Sequence, residues 1–451
     1  MAQTFRHSEY YLQRREILAQ AARERAYATR VIAFILVHVP LAFLIRWNPI
    51  FSTAHALITI GLGLLWLLRD RQPYRVIYLA AYITGAELLW RGTGANTFWE
   101  TGKYATSLLL ILAIFRYRLL SRSVKWPIYY FLLLIPSVSL LPRFDREAIA
   151  FNLAGPFALA VCSLFFSSIS LNRSHIQRIL LALIAPAVGL AILAAYGTFS
   201  TEEIIFTGAS IRATAADIGP NQVSSILGLG ALGAFFYALG ERKNRFLRFM
   251  MIGIVIWLLA QALLTFSRGG FWTTIGAIVV AGFYMLRERR ARTIFAFSTT
   301  FVLFVGYFLV FPLLNNFTGG TLETRFTDFD TTGRSEIIKA DLIAYREHPL
   351  LGLGPGQSYI FHAVIFRISN PHTEFTRLLA EHGSLGLLAL LILLWVAAKR
   401  VLAKNSLVVK AYTVSFTAWT FLFMYHAATR LVAPSFIFGL AAASFQLEDV
   451  S

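Results

Sequence analysis

The sequence predicts an all-α polytopic membrane protein, and three of its features lead to that fold class. Of the 451 residues, 57% are hydrophobic and only 14% are charged, which is far less charge than a water-soluble surface of this size needs. Apolar stretches of roughly 17–25 residues, the length that crosses about 30 Å of hydrocarbon, recur from end to end. Basic residues cluster in alternate connections between these stretches, as they do in proteins that are oriented in a membrane.

We expect about 12–14 transmembrane helices. If the N-terminus is cytoplasmic, most of the lysines and arginines fall in the inward connections, which places both termini in the cytoplasm. Fourteen segments have the required apolar character, and they are centred on residues 32–46, 53–68, 75–90, 99–115, 126–141, 148–170, 178–198, 221–239, 248–266, 270–286, 293–312, 379–397, 409–425 and 431–446.

The chain divides into four expected parts. Residues 1–30 form a basic, amphipathic cytoplasmic segment on the inner leaflet, with a partly ordered basic tail as the open alternative. Residues 31–312 form a transmembrane bundle of about eleven spans, and residues 379–451 form the C-terminal transmembrane helices. Between them, residues 313–378 form one large outward loop, and a loop of this length without regular structure is unusual unless it is functional.

Composition excludes several classes of function. The single cysteine, Cys162, rules out intramolecular disulfides and a cysteine-rich metal site. The formal net charge of +18 comes from clusters between spans, and the sequence contains no nucleic-acid motif, so no nucleic-acid partner is expected. Membrane lipids are the expected surroundings.

The middle of the large loop predicts a short helix followed by a tight turn. The helix is expected from about Ser335 to Glu347, with apolar residues on one face, and Pro349 ends it. The GLGPG run at 352–356 then forms a turn without side chains, which is a weak match to a nucleotide-binding loop because no buried strand precedes it. The residues of the predicted apolar face are Ile337, Ile338, Leu342 and Ile343.

The segment from Asn370 onward predicts a helix start with a histidine in its first turn. Asn caps free amides and Pro suits the first helical position, so His372 would lie near the positive end of the helix dipole, which favours a neutral imidazole. A neutral imidazole can act as a general base. The alternative is an interfacial histidine bonded to a loop carbonyl. Glu374, Arg377 and Glu381 are spaced to form an ion-paired stripe along this helix.

Outward-facing basic residues are nearly all arginines. The planar guanidinium of arginine can donate two hydrogen bonds to one phosphate at the same time. Each arginine alone is also compatible with a snorkelling membrane anchor, and only convergence outside the bundle would make an anion site. The candidates are Arg212, Arg268, Arg325, Arg334 and Arg430.

Four segments together resemble the O-antigen ligase/polymerase superfamily of bacterial envelope glycosyltransferases. They are Arg212 followed by GPNQ at 219–222, SRGG at 267–270, the run from Gly333 to Gly356, and the run from Pro371 to Leu387. The resemblance covers about residues 205–390. It implies a GT-C-like bundle in the bacterial inner membrane with the active loop in the periplasm.

The resemblance also implies the reaction and its residues. A glycan moves from an undecaprenyl-diphosphate carrier to a hydroxyl of a glycan or lipid-linked acceptor, with inversion and without a metal or another cofactor. His372 would deprotonate that hydroxyl, Arg334 and Arg212 would hold the diphosphate, and Arg268, Arg325 and Arg430 are the further substrate-binding candidates. This chain has IIKA where many relatives have a Trp after GR, and Thr373 where many have Asn, which leaves the orientation of the acceptor sugar open.

Three functions remain in view at this stage. A polymerase that extends one lipid-linked chain from another is preferred because about fourteen spans suit polymerases, and a chain-length regulator would be its further partner. The second is a ligase that transfers finished polymer to lipid A-core. The third, a flippase or other transporter of lipid-linked glycans, predicts ionisable residues deep in the spans, whereas the basic residues here are expected in loops.

Overall fold

A computed structural model of the chain describes residues 2–120, 124–141, 145–201, 204–328, 334–366 and 373–447. Side chains are described over the same ranges except at residues 2–14, 16, 17, 21, 290, 334 and 364–366. Helices dominate, in agreement with the predicted all-α class. They are α1 Ala2–Leu36, α2 His38–Trp47, α3 Pro49–Arg69, α4 Tyr74–Gly92, α5 Thr101–Arg116, α6 Trp126–Leu132, α7 Arg146–Phe166, α8 Arg173–Ser200, α9 Pro220–Gly240, α10 Arg245–Leu264, α11 Arg268–Met285, α12 Arg289–Val305, α13 Phe311–Phe317, α14 Thr321–Thr327, α15 Arg334–Glu347, α16 Ser358–Phe366, α17 Glu374–Leu402, α18 Leu407–His426 and α19 Ala433–Leu440.

Nine helical segments in the described part of the chain are long and apolar enough to cross a membrane. They confirm a polytopic membrane protein. The other predicted segments coincide with α4, α5, α6, α11 and α19, which are shorter or less apolar, so the number fourteen stays a prediction. The nine segments are Leu18–Trp47, α3, α7, α8, α9, α10, Ala291–Phe317, α17 and α18.

The centre of the bundle is α9, which packs against α8, α10 and α11. Nearly all of α9 is buried, and its sequence SSILGLGALGA supplies the small residues that let helices approach closely within a membrane. At the opposite extreme, the span Ala291–Phe317 is mostly exposed and includes a π-helical turn, Gly306–Val310. We therefore place that span at the edge of the bundle, facing lipid.

One short strand lies between α7 and α8, and a second follows α19. Strand β1 (Ser170–Asn172) pairs in parallel with β2 (Ser444–Gln446), with Leu171 opposite Phe445. Helices α14, α15 and α16 lie at the other end of the bundle, beyond α13. We call that end the loop end and the end that carries β1 and β2 the far end.

The GLGPG run packs against a break in α17. The N–H groups of Leu353 and Gly354 donate to the carbonyls of Ala380 (2.8 Å) and Glu381 (3.0 Å), just before Gly383 departs from helical angles. Gly352 has φ +71°, and a Cβ there would lie 2.5 Å from the His382 backbone nitrogen. The run therefore docks the start of α16 against α17. The tight turn that the sequence predicts is confirmed, and its lack of side chains allows the close contact with α17.

The Gly352→Ala substitution should destabilise the protein strongly. The left-handed angle alone costs about 1–2 kcal/mol for a residue with a Cβ, and displacing the α17 backbone adds to that cost. The Gly319→Ala variant is the matched control, since Gly319 has φ +60° but open space around its Cβ position. Thermal unfolding in detergent should show a clearly larger loss for Gly352→Ala than for Gly319→Ala, and equal losses would contradict the proposed docking.

Two expectations about the loop helices need correction. Helix α15 was predicted to bury Leu342 and Ile343, but these are 45% and 38% exposed, whereas Ile337, Ala340 and Ala344 are buried. The reason is that Asp341 turns inward to partners on α16 and α17, which rotates the helix.

The predicted start of the next helix at Asn370 is also wrong. Helix α17 begins at Glu374, because Thr373 has extended angles (φ −129°, ψ 130°) and occupies the N-cap position.

Candidate functional site

The segment that joins α18 to α19 is held by charged side chains from α4 and α5. Lys103 of α5 donates to the Thr429 carbonyl (3.2 Å), and Arg91 of α4 donates to the Arg430 carbonyl with both terminal nitrogens (3.2 Å each). Glu87 of α4 accepts the N–H of Val432 (2.8 Å). The backbone of residues 429–432 is thereby fixed at the loop end of the bundle.

The predicted ion-paired stripe on α17 is confirmed, and it is buried. Arg377 grips Glu374 with two hydrogen bonds of 2.9 and 2.6 Å and reaches Glu381 at 2.5 Å. Glu374 also accepts the N–H and hydroxyl of Thr429 (3.1 and 3.0 Å), while Ser358 of α16 donates to Glu381 (2.7 Å). The stripe therefore ties α17 both to the 429–432 segment and to the loop helices.

The expectation that basic residues concentrate in loops has exceptions at Lys103 and at Arg377, the cation of the predicted stripe. Both side chains are buried within helices, with relative exposures of 0% and 2%. Lys103 forms an ion pair with Glu100, and Glu87 pairs with Arg91 at 2.6 Å. A buried charge is tolerated when a partner and further hydrogen bonds compensate for the lost hydration, and each of these cations has both.

Arg430 lies beside this charged network. It is partly buried and its guanidinium is 5.8 Å from the centre of the Phe151 ring. Burial and the neighbouring Arg377 lower the pKa of the Arg430 guanidinium, whereas Glu374, Glu100 and Glu381 act in the opposite direction. Arg430 is therefore electrostatically coupled to the stripe on α17.

A second buried polar cluster joins the three loop helices. Asp341 of α15 accepts hydrogen bonds from His362 Nε2 of α16 (2.7 Å) and from the hydroxyl of Thr376 on α17 (2.5 Å). The Asp341 and His362 side chains are both 0% exposed, and His362 Nδ1 has no hydrogen-bond partner among the described residues. We call this group the Asp341 lock, because it fixes the mutual positions of the helices that flank Arg334 and His372.

The Asp341→Asn substitution should weaken this lock. An amide offers one acceptor oxygen instead of two, so one of the two buried donors loses its partner, at a cost of about 1–3 kcal/mol. Thr376→Val, which removes one donor and leaves the His362 bond intact, should cost less. Thermal unfolding of the purified variants would measure both losses. A stability of Asp341→Asn equal to that of the wild type would contradict the lock.

The side chains of Arg268 and Arg325 and the backbone next to Arg212 lie around one turn, residues 265–268. The N–H of Ile211, next to Arg212, donates to the Thr265 carbonyl (3.3 Å). Arg325 of α14 donates through Nε to the Phe266 carbonyl (3.1 Å), and Arg268 donates to the backbone carbonyl of Asp328. Arg212 is exposed and Arg268 is partly buried. We call Arg212, Arg268 and Arg325 the arginine group.

The SRGG motif places this turn against α9 and α18. Ser224 of α9 donates to the Ser267 carbonyl (2.9 Å), and a Cβ at Gly270 would overlap the Ser224 backbone. Asn221, the second residue of α9, donates to the His426 carbonyl (3.2 Å) at the end of α18. The arginine group and the 429–432 segment therefore lie at the same end of the bundle, joined through α9 and the end of α18.

An apolar groove opens beside the arginine group. It has a volume of about 360 Å³ and is bordered by α10, α11, the span Ala291–Phe317 and α14. Its walls are almost entirely aliphatic and aromatic, and Glu323 and Thr327 of α14 lie on either side of Arg325 in the sequence. The lining side chains include Leu259, Leu263, Phe271, Trp272, Tyr307 and Phe326.

Two predicted catalytic residues are not located by side chain. Arg334 is the first residue of α15, but its side chain is outside the described part. His372 lies outside the described residues altogether. Helices α16 and α17, which precede and follow His372 in the sequence, are fixed to each other by the Asp341 lock and the stripe.

Sequence reasoning missed the Asp341 lock and the paired ions of α4 and α5. Asp341 and His362 are 21 residues apart, and their pairing has no local spacing signal. For Glu87 a signal existed, since a carboxylate inside the apolar run YRVIYLAAYITGAELLW is rare unless it has a function or a partner.

Comparison with known proteins agrees with the arrangement. Residues 253–391 match the family model described as O-antigen ligase, and this range runs from α10 into α17, so it includes SRGG, the loop helices and the stripe. Arg212, Arg430 and the helices α1–α9 lie outside the matched range. A search of the curated proteins found no match. Residues 253–391 therefore match an O-antigen ligase domain, which supports the resemblance of the chain to the O-antigen ligase/polymerase superfamily.

Proposed function

We propose that the protein is an inner-membrane glycosyltransferase that moves a glycan from an undecaprenyl-diphosphate carrier to a sugar hydroxyl on the periplasmic face. The observation that carries the proposal is that Arg268 and Arg325 lie around the 265–268 turn while the helix of Arg325, α14, also borders an apolar groove, all within the match to the O-antigen ligase model. A diphosphate on an isoprenoid is a ligand with a compact anionic head and a long apolar tail. The arginine group and the groove complement those two parts respectively.

The arginines would bind the head of the carrier. Guanidinium forms charge-assisted, often bidentate hydrogen bonds to phosphate oxygens, and Arg334 at the start of α15 would add a fourth cation. Their positive charge also stabilises the diphosphate as it leaves, because negative charge grows on it when the bond to the sugar breaks. The groove would hold the first isoprene units against its aromatic wall.

His372 would act on the acceptor. It takes the proton of the acceptor hydroxyl as the oxygen attacks the anomeric carbon, and the bond from that carbon to the diphosphate oxygen breaks with its electron pair. Such a direct displacement inverts the anomeric carbon. Its rate depends mainly on the position of the base and of the cations relative to the reacting atoms, and the Asp341 lock and the stripe would hold the helices next to these groups.

The proposal includes the orientation of the protein across the membrane. Basic residues are denser in the connections at the far end, which would face the cytoplasm together with both termini. The loop end, with the arginine group, would face the periplasm. The carrier and an acceptor that is a glycan or a lipid-linked glycan would meet there.

We propose that the protein transfers the glycan as a polymerase, and a ligase is the second candidate. The many apolar segments favour a polymerase, which joins two lipid-linked chains. The matched family description, O-antigen ligase, favours transfer to lipid A-core. The transporter hypothesis predicts ionisable residues deep in the spans. The buried cations Lys103 and Arg377 meet that prediction, but their carboxylate partners give both a structural role.

Reconstitution with lipid-linked repeat units alone tests the proposal. A ladder of longer lipid-linked products is expected from the purified protein in liposomes, because a polymerase needs no other acceptor. The His372→Ala variant should form no ladder, since loss of a general base lowers rates by about 10²–10⁴-fold. Product formation only after lipid A-core is added would favour the ligase, and no transfer with either acceptor would refute the glycosyltransferase.

A further inference from the structure

A polar cleft at the far end of the bundle takes no part in the proposed reaction. It has a volume of about 860 Å³ and lies between α1, the start of α8 and the turn that joins α9 to α10. Its charged and phenolic lining residues are Arg23, Glu24, Tyr27, Arg173, Glu241, Arg242 and Lys243.

The cleft is positively charged, and its carboxylates are already used. Glu241 is 4% exposed and accepts the N–H groups of Lys243 (2.9 Å) and Asn244 (3.0 Å). Glu24 accepts a hydrogen bond from the Gln20 amide (3.0 Å). Four cations therefore face two carboxylates that serve the local backbone and side chains, and the cleft has a net affinity for anions.

Two helices begin at the cleft, but their amide groups are capped. Asn172 accepts from the N–H of His175 at the start of α8, and Asn244 accepts from the N–H of Leu247 at the start of α10. The helix dipoles add positive potential. Because the amides are capped, side chains would make the contacts to an anion.

Tyr27 supplies a neutral donor to the same space. Its hydroxyl is 2.8 Å from that of Tyr237 on α9. Tyr237 is 0% exposed and has this one hydrogen bond among the described residues, so its proton must be donated to Tyr27 for the buried hydroxyl to be satisfied. The Tyr27 proton is then directed to the cleft, where Tyr27 is 37% exposed.

The face of α1 that lines the cleft continues as an apolar surface into the membrane span. Arg23, Tyr27 and Phe34 are spaced i, i+4 and i+11 and so share one helix face. Phe34 is 36% exposed and lies in the span Leu18–Trp47. A ligand in the cleft could therefore extend hydrocarbon along α1 into the bilayer.

We propose that this cleft binds the phosphate of an anionic phospholipid, with Arg173, Lys243 and the Tyr27 hydroxyl as the contacts to the phosphate and the Phe34 face of α1 beneath its acyl chain. The site would fasten α1 to the bundle. It is independent of the proposed transfer reaction.

Lipid-dependent stability of the full chain in detergent tests the site. Tryptophan fluorescence would follow thermal unfolding during titration with phosphatidylglycerol, phosphatidylcholine or inorganic pyrophosphate. Phosphatidylglycerol should stabilise the wild type, and the Arg173→Gln/Lys243→Gln variant should bind it more weakly by about fivefold for each removed charge. Lys404→Gln is the matched control, because Lys404 is exposed at the far end but does not line the cleft.

The outcomes are distinct. A specific loss in the double variant, with unfolding in phosphatidylcholine unchanged, supports the site and shows that the variant folds. Equal stabilisation by both lipids, or an equal loss in Lys404→Gln, would overturn it. Stabilisation by pyrophosphate as strong as that by phosphatidylglycerol would overturn the phospholipid as the occupant.

Discussion

Replacing Arg377 with methionine is expected to leave little folded protein. The change removes three hydrogen bonds and leaves Glu374 and Glu381, both 0% exposed, without their cation. Breaking a buried ion pair by removing one partner costs about 3–5 kcal/mol, a large share of the roughly 5–15 kcal/mol that stabilises a typical protein. The yield of monodisperse protein on size-exclusion chromatography in detergent measures this loss.

A triple variant separates the charge effect from the packing effect. Glu374→Gln/Arg377→Met/Glu381→Gln removes both stranded charges with the cation, so it should recover much of the yield. Arg346→Met is the matched single control, because Arg346 is exposed on α15. If Arg377→Met gave the same yield as Arg346→Met, the stripe would not be the support of α17 that its geometry indicates.

Removing one cation of the arginine group is expected to slow transfer by about 10²–10³-fold, the loss typical of one group that stabilises charge in a transition state. Arg268→Gln and Arg325→Gln keep a polar side chain, shorter than that of arginine, and remove the charge. The turnover number with lipid-linked repeat units measures the effect. The stability of both variants should change little by comparison, because both side chains lie near the surface of the loop end.

Two controls make this result specific. Arg268→Lys keeps a positive charge but not the guanidinium fork, so its activity should fall between that of the wild type and that of Arg268→Gln. Arg346→Gln removes an exposed cation from the same end of the bundle and should be nearly as active as the wild type. Equal losses in Arg346→Gln and Arg268→Gln would mean that the overall charge of the loop end matters and the arginine group does not.

Features with a local spacing rule were predictable. The bond from Arg377 to Glu374 spans three residues and the bond to Glu381 spans four, which are the separations of neighbours on a helix face. The turn at GLGPG was also predictable from local sequence, because the left-handed angle at Gly352 depends on the residue at that one position. The membrane-spanning class followed from composition and segment length.

Features set by distant residues were not predictable. Lys103 is buried because its partners include the Thr429 carbonyl, which is 326 residues away in the sequence. The apolar face of α15 was assigned by counting hydrophobic residues, and the buried partners of Asp341 on α16 and α17 overrule that count. The position of the backbone next to Arg212 at the 265–268 turn likewise depends on a backbone bond from Ile211 to Thr265.

Binding of undecaprenyl diphosphate without a glycan tests the central claim most directly, and undecaprenol with the same tail and no phosphate is the matched ligand. The wild type should prefer the diphosphate, and the Arg268→Gln/Arg325→Gln variant should lose about 10–100-fold of that preference for each arginine while its affinity for undecaprenol stays the same. An undiminished preference for the diphosphate in the double variant would contradict the account.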